Sequence, residues 1–187
     1  FMRKKSHIGL ARYLTNYKHQ ELLASHRYFF YAGSILPDCR PSFLTTRHNI
    51  ESTLPLIQEY MERVRLHRIR TADTYLNRRD CITMGQILHY IADYFTYPHN
   101  DSIYPGSLKD HCHYEEYLKQ RLREYFQSGA AFQIPYTPLE SRMSTREIIR
   151  FIQQKHKEYL ELPSHSIESD CQYIIAVNQS VMSALAA

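Results

Sequence analysis

The chain has no tryptophan and only five glycines among its 187 residues. Scarce glycine fits poorly with loops that wrap phosphate groups. Neither G-x-x-x-x-G-K-[ST] nor G-x-G-x-x-G occurs, which excludes a P-loop or a dinucleotide fingerprint. The four cysteines, Cys39, Cys81, Cys112 and Cys171, lack C-x-x-C spacing and read as isolated thiols of a reduced compartment. No apolar run approaches the ~20 residues of a membrane span. The basic start FMRKKSHIGL has no apolar h-region, so it does not read as a signal peptide. Met2 reads as a native start, and the expected address is cytoplasmic unless a leader has been removed. There is no dense Lys/Arg run, and the formal charge of +4 is mild. That charge permits an anionic substrate without calling for a stable nucleic-acid partner.

Eleven histidines stand out instead, in a chain that is 43% hydrophobic. That is enough apolar material for the core of one domain spanning residues 1–187. The periodicity is helical throughout and no segment alternates like a strand. The expectation is an all-α, single-domain bundle of six or seven helices. Helices are expected over Ser6 to Tyr17, His19 to Tyr31 (ending near Gly33) and Ser52 to Arg70, where Pro55 suits a first turn. Arg78 to Asp80 reads as a loop. Further helices are expected over Met84 to Tyr97, Asp110 to Gln127, the segment opened by the capping box Ser144-Thr145-Arg146-Glu147, and Ile167 to Leu185. The Met84 to Tyr97 segment is apolar nearly all round, so it belongs in the middle of the bundle.

That central segment carries the chemistry. His89 and Asp93 are four apart and share one helix face, and His111 and Glu115 repeat the spacing on the next helix. His99 lies in the loop between them, just after Pro98. Imidazole and carboxylate are the usual zinc ligands, and two H-x-x-x-[DE] pairs with a loop histidine are what a metal centre needs. Each part alone has a plainer reading: an i,i+4 ion pair, or a buried histidine held by hydrogen bonds. Upstream, His7, Asp38 and His48 precede helices or sit in loops, where side chains can converge on one end of a bundle. His113 is out of phase with His111 and reads as a surface residue. His19, His26, His67, His156 and His165 lack such context and read as structural. Tyr90, Tyr94, Tyr97 and Tyr104 read mostly as core, with one or two free to line a cleft.

Taken in order, SHIGLARYL, GSILPDC, RHNI, LHYIADYFTYPHN and HCHYEEYL resemble the zinc-dependent phospholipase C family, which is related to the S1/P1 nucleases. The likeness covers roughly residues 6 to 120. It implies that Asp38, His48, His89 and Asp93 hold one zinc, and that His99, His111 and Glu115 hold a second with a position left for water. It also implies that His7 and a bridging Asp93 contribute to a third zinc. Secreted members of the family complete that third ion with an N-terminal Trp, which this chain lacks. The implied activity is hydrolysis of a phosphodiester, such as a phospholipid head group, by metal-activated water, with Asp38 orienting or deprotonating that water. An S1/P1-like nuclease or a phosphatase on the same scaffold is the alternative, as is a non-catalytic zinc-stabilised module.

Overall fold

The computed structural model describes residues 3–17, 26–39, 48–71 and 76–186. Seven α-helices and three short 3₁₀ turns occupy them, and no strand occurs among the described residues. The helices are α1 (Lys4–Tyr17), α2 (Arg27–Ile35), α3 (Ile50–Thr71), α4 (Arg78–Tyr94), α5 (Leu108–Ser128), α6 (Thr145–Leu160) and α7 (Ile167–Ala186). The all-α reading therefore holds.

Helix α4 is the axis of the bundle. From Thr83 to Tyr94 every residue is buried, and α4 packs against α1, α2, α3 and α7. Each of its fully buried aliphatic side chains contributes roughly 1.5–3 kcal/mol relative to exposure. The all-round apolar sequence is satisfied only by neighbours on every side.

The approach of α2 to α4 depends on two glycines. A Cβ on Gly33 would lie 2.2 Å from the Ile82 carbonyl oxygen, and one on Gly85 would lie 2.3 Å from that of Phe30. Backbone packs on backbone here, as only glycine permits. Gly33 thus lies inside α2, which runs on to Ile35, rather than marking its end. Of the helix expected over His19 to Tyr31, residues 19–25 fall outside the described residues.

Helix boundaries moved where a side chain caps the backbone. Arg78 to Asp80 is the first turn of α4, not a loop, because Asn77 Oδ1 accepts the Asp80 N–H at 2.9 Å. Helix α3 starts two residues early, with Asn49 Oδ1 accepting the Ser52 N–H at 3.1 Å. Pro55 therefore lies in the second turn rather than the first. Helix α4 stops at Tyr94, short of Tyr97. Pro98 disfavours helical geometry just before it, and Asn100 Nδ2 donates to the Tyr94 and Thr96 carbonyls at 3.1 and 3.0 Å. The chain then turns through the 3₁₀ segment Tyr97–His99. The capping box at Ser144 is present, as is an unforeseen one at Ser107 that opens α5.

Candidate metal centre

Five elements converge on one end of α4. Helix α1 brings His7 from its first turn, within the helix expected from Ser6 onward rather than in a loop ahead of it. The 3₁₀ turn Pro37–Cys39 brings Asp38, and the residue pair ahead of α3 brings His48. Helix α4 brings His89 and Asp93, the turn after it His99, and α5 His111 and Glu115. All eight side chains singled out from the sequence meet there.

Asp93 is the hub, with a fully buried side chain. Its Oδ2 lies 2.9 Å from His48 Nδ1 and 3.3 Å from His89 Nε2. Its Oδ1 lies 3.4 Å from His7 Nε2 and 3.7 Å from His99 Nδ1. Asp38 Oδ1 lies 3.7 Å from His48 Nδ1 and 3.6 Å from His89 Nε2. His89 Nε2 and His48 Nδ1 are 3.2 Å apart. Five of the six separations among Asp38 Oδ1, His48 Nδ1, His89 Nε2 and Asp93 Oδ2 thus run from 2.9 to 3.7 Å. A tetrahedron with zinc bonds of about 2.0–2.1 Å has edges of about 3.3–3.4 Å.

A second group stands beside the first. Glu115 Oε1 lies 2.9 Å from His111 Nε2 and 3.3 Å from His99 Nε2. Three protein ligands with a fourth position open is the usual make-up of a catalytic zinc site. The His7 ring stacks on His89 at 3.8 Å between centroids, and His7, His89 and Asp93 form a further group. His89 is therefore common to two groups, a sharing not foreseen from the sequence. The centre is buried except at His111, whose side chain is 20% exposed.

The electrostatics suit a cation. His7 Nε2, Asp38 Oδ1 and Asp93 Oδ1 are buried without hydrogen-bond partners, a costly state unless another group satisfies them. Among the described residues no Lys or Arg pairs with Asp38 or Asp93, only imidazoles. Burial, with the charge of His89, brings the His7 pKa down to about 4, so it is neutral at physiological pH. Burial raises Asp38 to about 6, with Asp93 adding to the effect. Burial also works against an ionised Asp93, but the charges of His99 and His89 and the His48 hydrogen bond hold it well below the usual carboxylate range. Burial opposes Glu115 in the same way, yet hydrogen bonds from His111 and His99 bring it to about 2. Nitrogen and oxygen donors of this kind fit zinc.

The supporting contacts were harder to foresee. His89 Nδ1 donates to the Ser34 carbonyl at 2.8 Å, which fixes the ring's orientation. His156, read as structural, reaches Asn100 Oδ1 at 2.8 Å and so braces the side chain that caps α4. His67 pairs with Asp80 at 2.8 Å, and His113 is exposed, in keeping with the roles expected for both. Tyr90 and Tyr94 are buried, whereas Tyr97 and Tyr104 are partly exposed, Tyr104 standing edge-on to His111 at 6.3 Å between centroids. A cavity of about 580 Å³ lined by Tyr125, Ile134, Phe151 and Tyr173 shares no residue with the centre. No helix among the described residues is long and apolar enough to cross a membrane.

A family model described as zinc-dependent phospholipase C matches residues 6–165, about 45 residues beyond the last of the short motifs. No curated protein and no solved structure matches the chain at a significant level.

Proposed function

The chain belongs to the zinc-dependent phospholipase C family, and from that premise we propose that it is a zinc-dependent hydrolase of phosphate esters, acting on a phosphodiester. The observation that carries this reading is the convergence of His7, Asp38, His48, His89, Asp93, His99, His111 and Glu115 on one buried centre that opens at His111. Asp38, His48, His89 and Asp93 would hold one ion, and His99, His111 and Glu115 a second. His7 and Asp93 Oδ1 would contribute to a third.

Bound zinc lowers the pKa of water towards ~7 and polarises phosphoryl oxygens. The protein's own part is arrangement. Asp93 turns one oxygen to each side, so its carboxylate ties the groups together. The Ser34 carbonyl keeps His89 Nε2 directed inward. Asp38 would orient or deprotonate the attacking water, its carboxylate oxygen lying 3.6 Å from His89 Nε2 and 3.7 Å from His48 Nδ1. No side-chain nucleophile is required for such a hydrolysis, and the reading assigns none. Phospholipid head groups are the substrate class the family name suggests.

The test is a zinc count by mass spectrometry on protein never exposed to chelator, with turnover assays on phosphorylcholine esters, bis-aryl phosphodiesters, monoesters and single-stranded DNA. Two or three zinc ions per chain and preferred turnover of diesters are expected. His99→Ala and Glu115→Gln should each abolish turnover and retain helical circular dichroism. Less than one zinc per chain would remove the metal reading. Zinc without turnover of any ester would leave a zinc-stabilised module, and preference for DNA would move the assignment to a nuclease.

A further inference from the structure

The first turns of α7 contain a buried acid that the metal centre does not use. Asp170 is completely buried. Its Oδ1 accepts the Tyr159 hydroxyl at 2.7 Å. Its Oδ2 accepts the Tyr97 backbone N–H at 2.8 Å and the Tyr114 hydroxyl at 3.0 Å. No Lys or Arg among the described residues pairs with it. A carboxylate buried with neutral donors alone is costly to keep, so what it joins together matters.

What it joins are the two elements that supply the second metal group. Tyr97 opens the 3₁₀ turn Tyr97–His99, whose last residue is His99. Tyr114 precedes Glu115 and lies three residues after His111 on α5. One oxygen atom therefore pins both the turn and the helix. The aromatic rings close the same joint: Tyr97 and Tyr114 pack at 5.9 Å between centroids, and His165 stacks on Tyr97 at 4.8 Å. On the far side of the joint His99 Nε2 and His111 Nε2 both face Glu115 Oε1, at 3.3 and 2.9 Å. His99 is the one ligand of this group that is not carried by α5. Apart from the pin, the turn is held by the end of α4, by Asn100 and by the Tyr97 hydroxyl, which donates to the Ile103 carbonyl at 3.0 Å; none of these bonds reaches α5.

We propose that Asp170 is a positioning residue of the metal centre: by holding the Tyr97 N–H and the Tyr114 hydroxyl on one carboxylate oxygen, it sets His99 against His111 and Glu115 and so governs metal affinity at that group alone. This rests on the reading that His99, His111 and Glu115 hold zinc. Asp170 touches neither ligand nor substrate, and its effect passes through the backbone of the turn and the side chain of Tyr114.

The experiment is a competition titration of zinc against a fluorescent chelator, on the full chain, for wild type, Asp170→Ala, Tyr114→Phe, Tyr159→Phe and His99→Ala. His99→Ala identifies which binding step belongs to the second group. Asp170→Ala is expected to weaken that step by about 10–100-fold, the range for loss of an outer partner of a metal ligand, and to leave the other step or steps unchanged. Tyr114→Phe removes one hydrogen bond without leaving a buried charge unpaired by all its donors. It should weaken the same step by a smaller factor while keeping the wild-type circular dichroism. Tyr159→Phe breaks a bond to neither ligand-bearing element and should leave that step within about twofold. The proposal is overturned if Asp170→Ala and Tyr114→Phe both bind zinc like wild type, or if every step weakens equally in Tyr114→Phe. If Asp170→Ala does not fold, Tyr114→Phe set against Tyr159→Phe decides alone. If His99→Ala has the same zinc steps as wild type, the metal reading of the second group fails instead, and the two failures are distinct.

Discussion

His89 and Ser34 sit on different helices, and the Nδ1–H of one donates to the carbonyl of the other at 2.8 Å. That bond fixes the tautomer, so Nε2 is the nitrogen turned to Asp38, His48 and Asp93. It exists because α2 and α4 touch backbone to backbone. The geometry of a proposed metal ligand thus depends on residues with no side chain.

Gly85→Ala tests that dependence. The added methyl would meet the Phe30 carbonyl oxygen at 2.3 Å and the Ser34 nitrogen at 2.6 Å. Neither is the end of a flexible side chain, so α2 must move away and take the Ser34 carbonyl with it. The expected cost is about 1–3 kcal/mol of stability, the usual range for overpacking, with weaker zinc binding at the His89 groups. Gly9→Ala is the control, because its methyl meets only the Phe126 ring at 3.3 Å. Urea unfolding and zinc titration of both variants supply the comparison. Equal, small effects would show that the helices have slack.

This contact also marks where the sequence stops being readable. The i,i+4 pairs His89–Asp93 and His111–Glu115 are local patterns, and helical phase alone places each pair on one face. Asp38 and His48 could be joined to them only through the order of short motifs, since nothing local says where a loop residue will fold back. Gly33 and Gly85 leave no pattern, because what matters is the side chain they lack. Asn77, Asn49 and Asn100 shift helix ends through single hydrogen bonds that compete with composition, so Arg78 to Asp80 looked like a loop. Asp170 was invisible for another reason: its partners lie 73, 56 and 11 residues away.

Metal removal should loosen the fold. Asp38 Oδ1 and Asp93 Oδ1 are buried without hydrogen-bond partners, and stripping the ions leaves those oxygens uncompensated. Chelation is expected to lower the thermal midpoint by several degrees, and zinc should restore it in a concentration-dependent way. Magnesium should not, since imidazole-rich sites suit zinc better than hard cations. Identical melting curves for zinc-loaded protein and for chelator-treated protein shown to be zinc-free would refute the coupling.

Zinc binding should release protons near neutral pH. Burial by itself lowers the His89 pKa, but the charges of Asp93 and Asp38 outweigh it and carry the group above its ordinary 6.5. Asp38 is raised by burial to about 6. In the metal-free protein at pH 6 His89 is therefore protonated and Asp38 about half protonated, and zinc must displace those protons. Affinity should rise with pH, by about tenfold per unit for each proton still held: the Asp38 share flattens above about pH 6, and the His89 share continues above 6.5. Calorimetry in two buffers of different ionisation enthalpy measures the release. Zinc binding with no proton release at pH 6 would contradict the assignment of His89 as a ligand.

Asp170 should also leave a mark on stability. Burial raises its carboxyl from 3.8 to about 7, although hydrogen bonds from Tyr159, Tyr97 and Tyr114 pull the other way. The folded chain then holds this proton more tightly than the unfolded chain. Its contribution is fully present below about pH 4 and is lost as pH rises through 7, so it falls across that window by about 4 kcal/mol at most. Asp170→Asn removes the titration and keeps a side chain of the same shape. Its stability relative to wild type should therefore improve steadily between pH 4 and pH 7. Among neighbouring groups, burial pushes the Tyr159 and Tyr114 hydroxyls upwards and out of that range, and His165, lowered by burial, is common to both proteins. Urea unfolding at half-unit intervals gives the difference directly. A difference independent of pH would mean that Asp170 is already ionised at pH 4, its three donors outweighing burial.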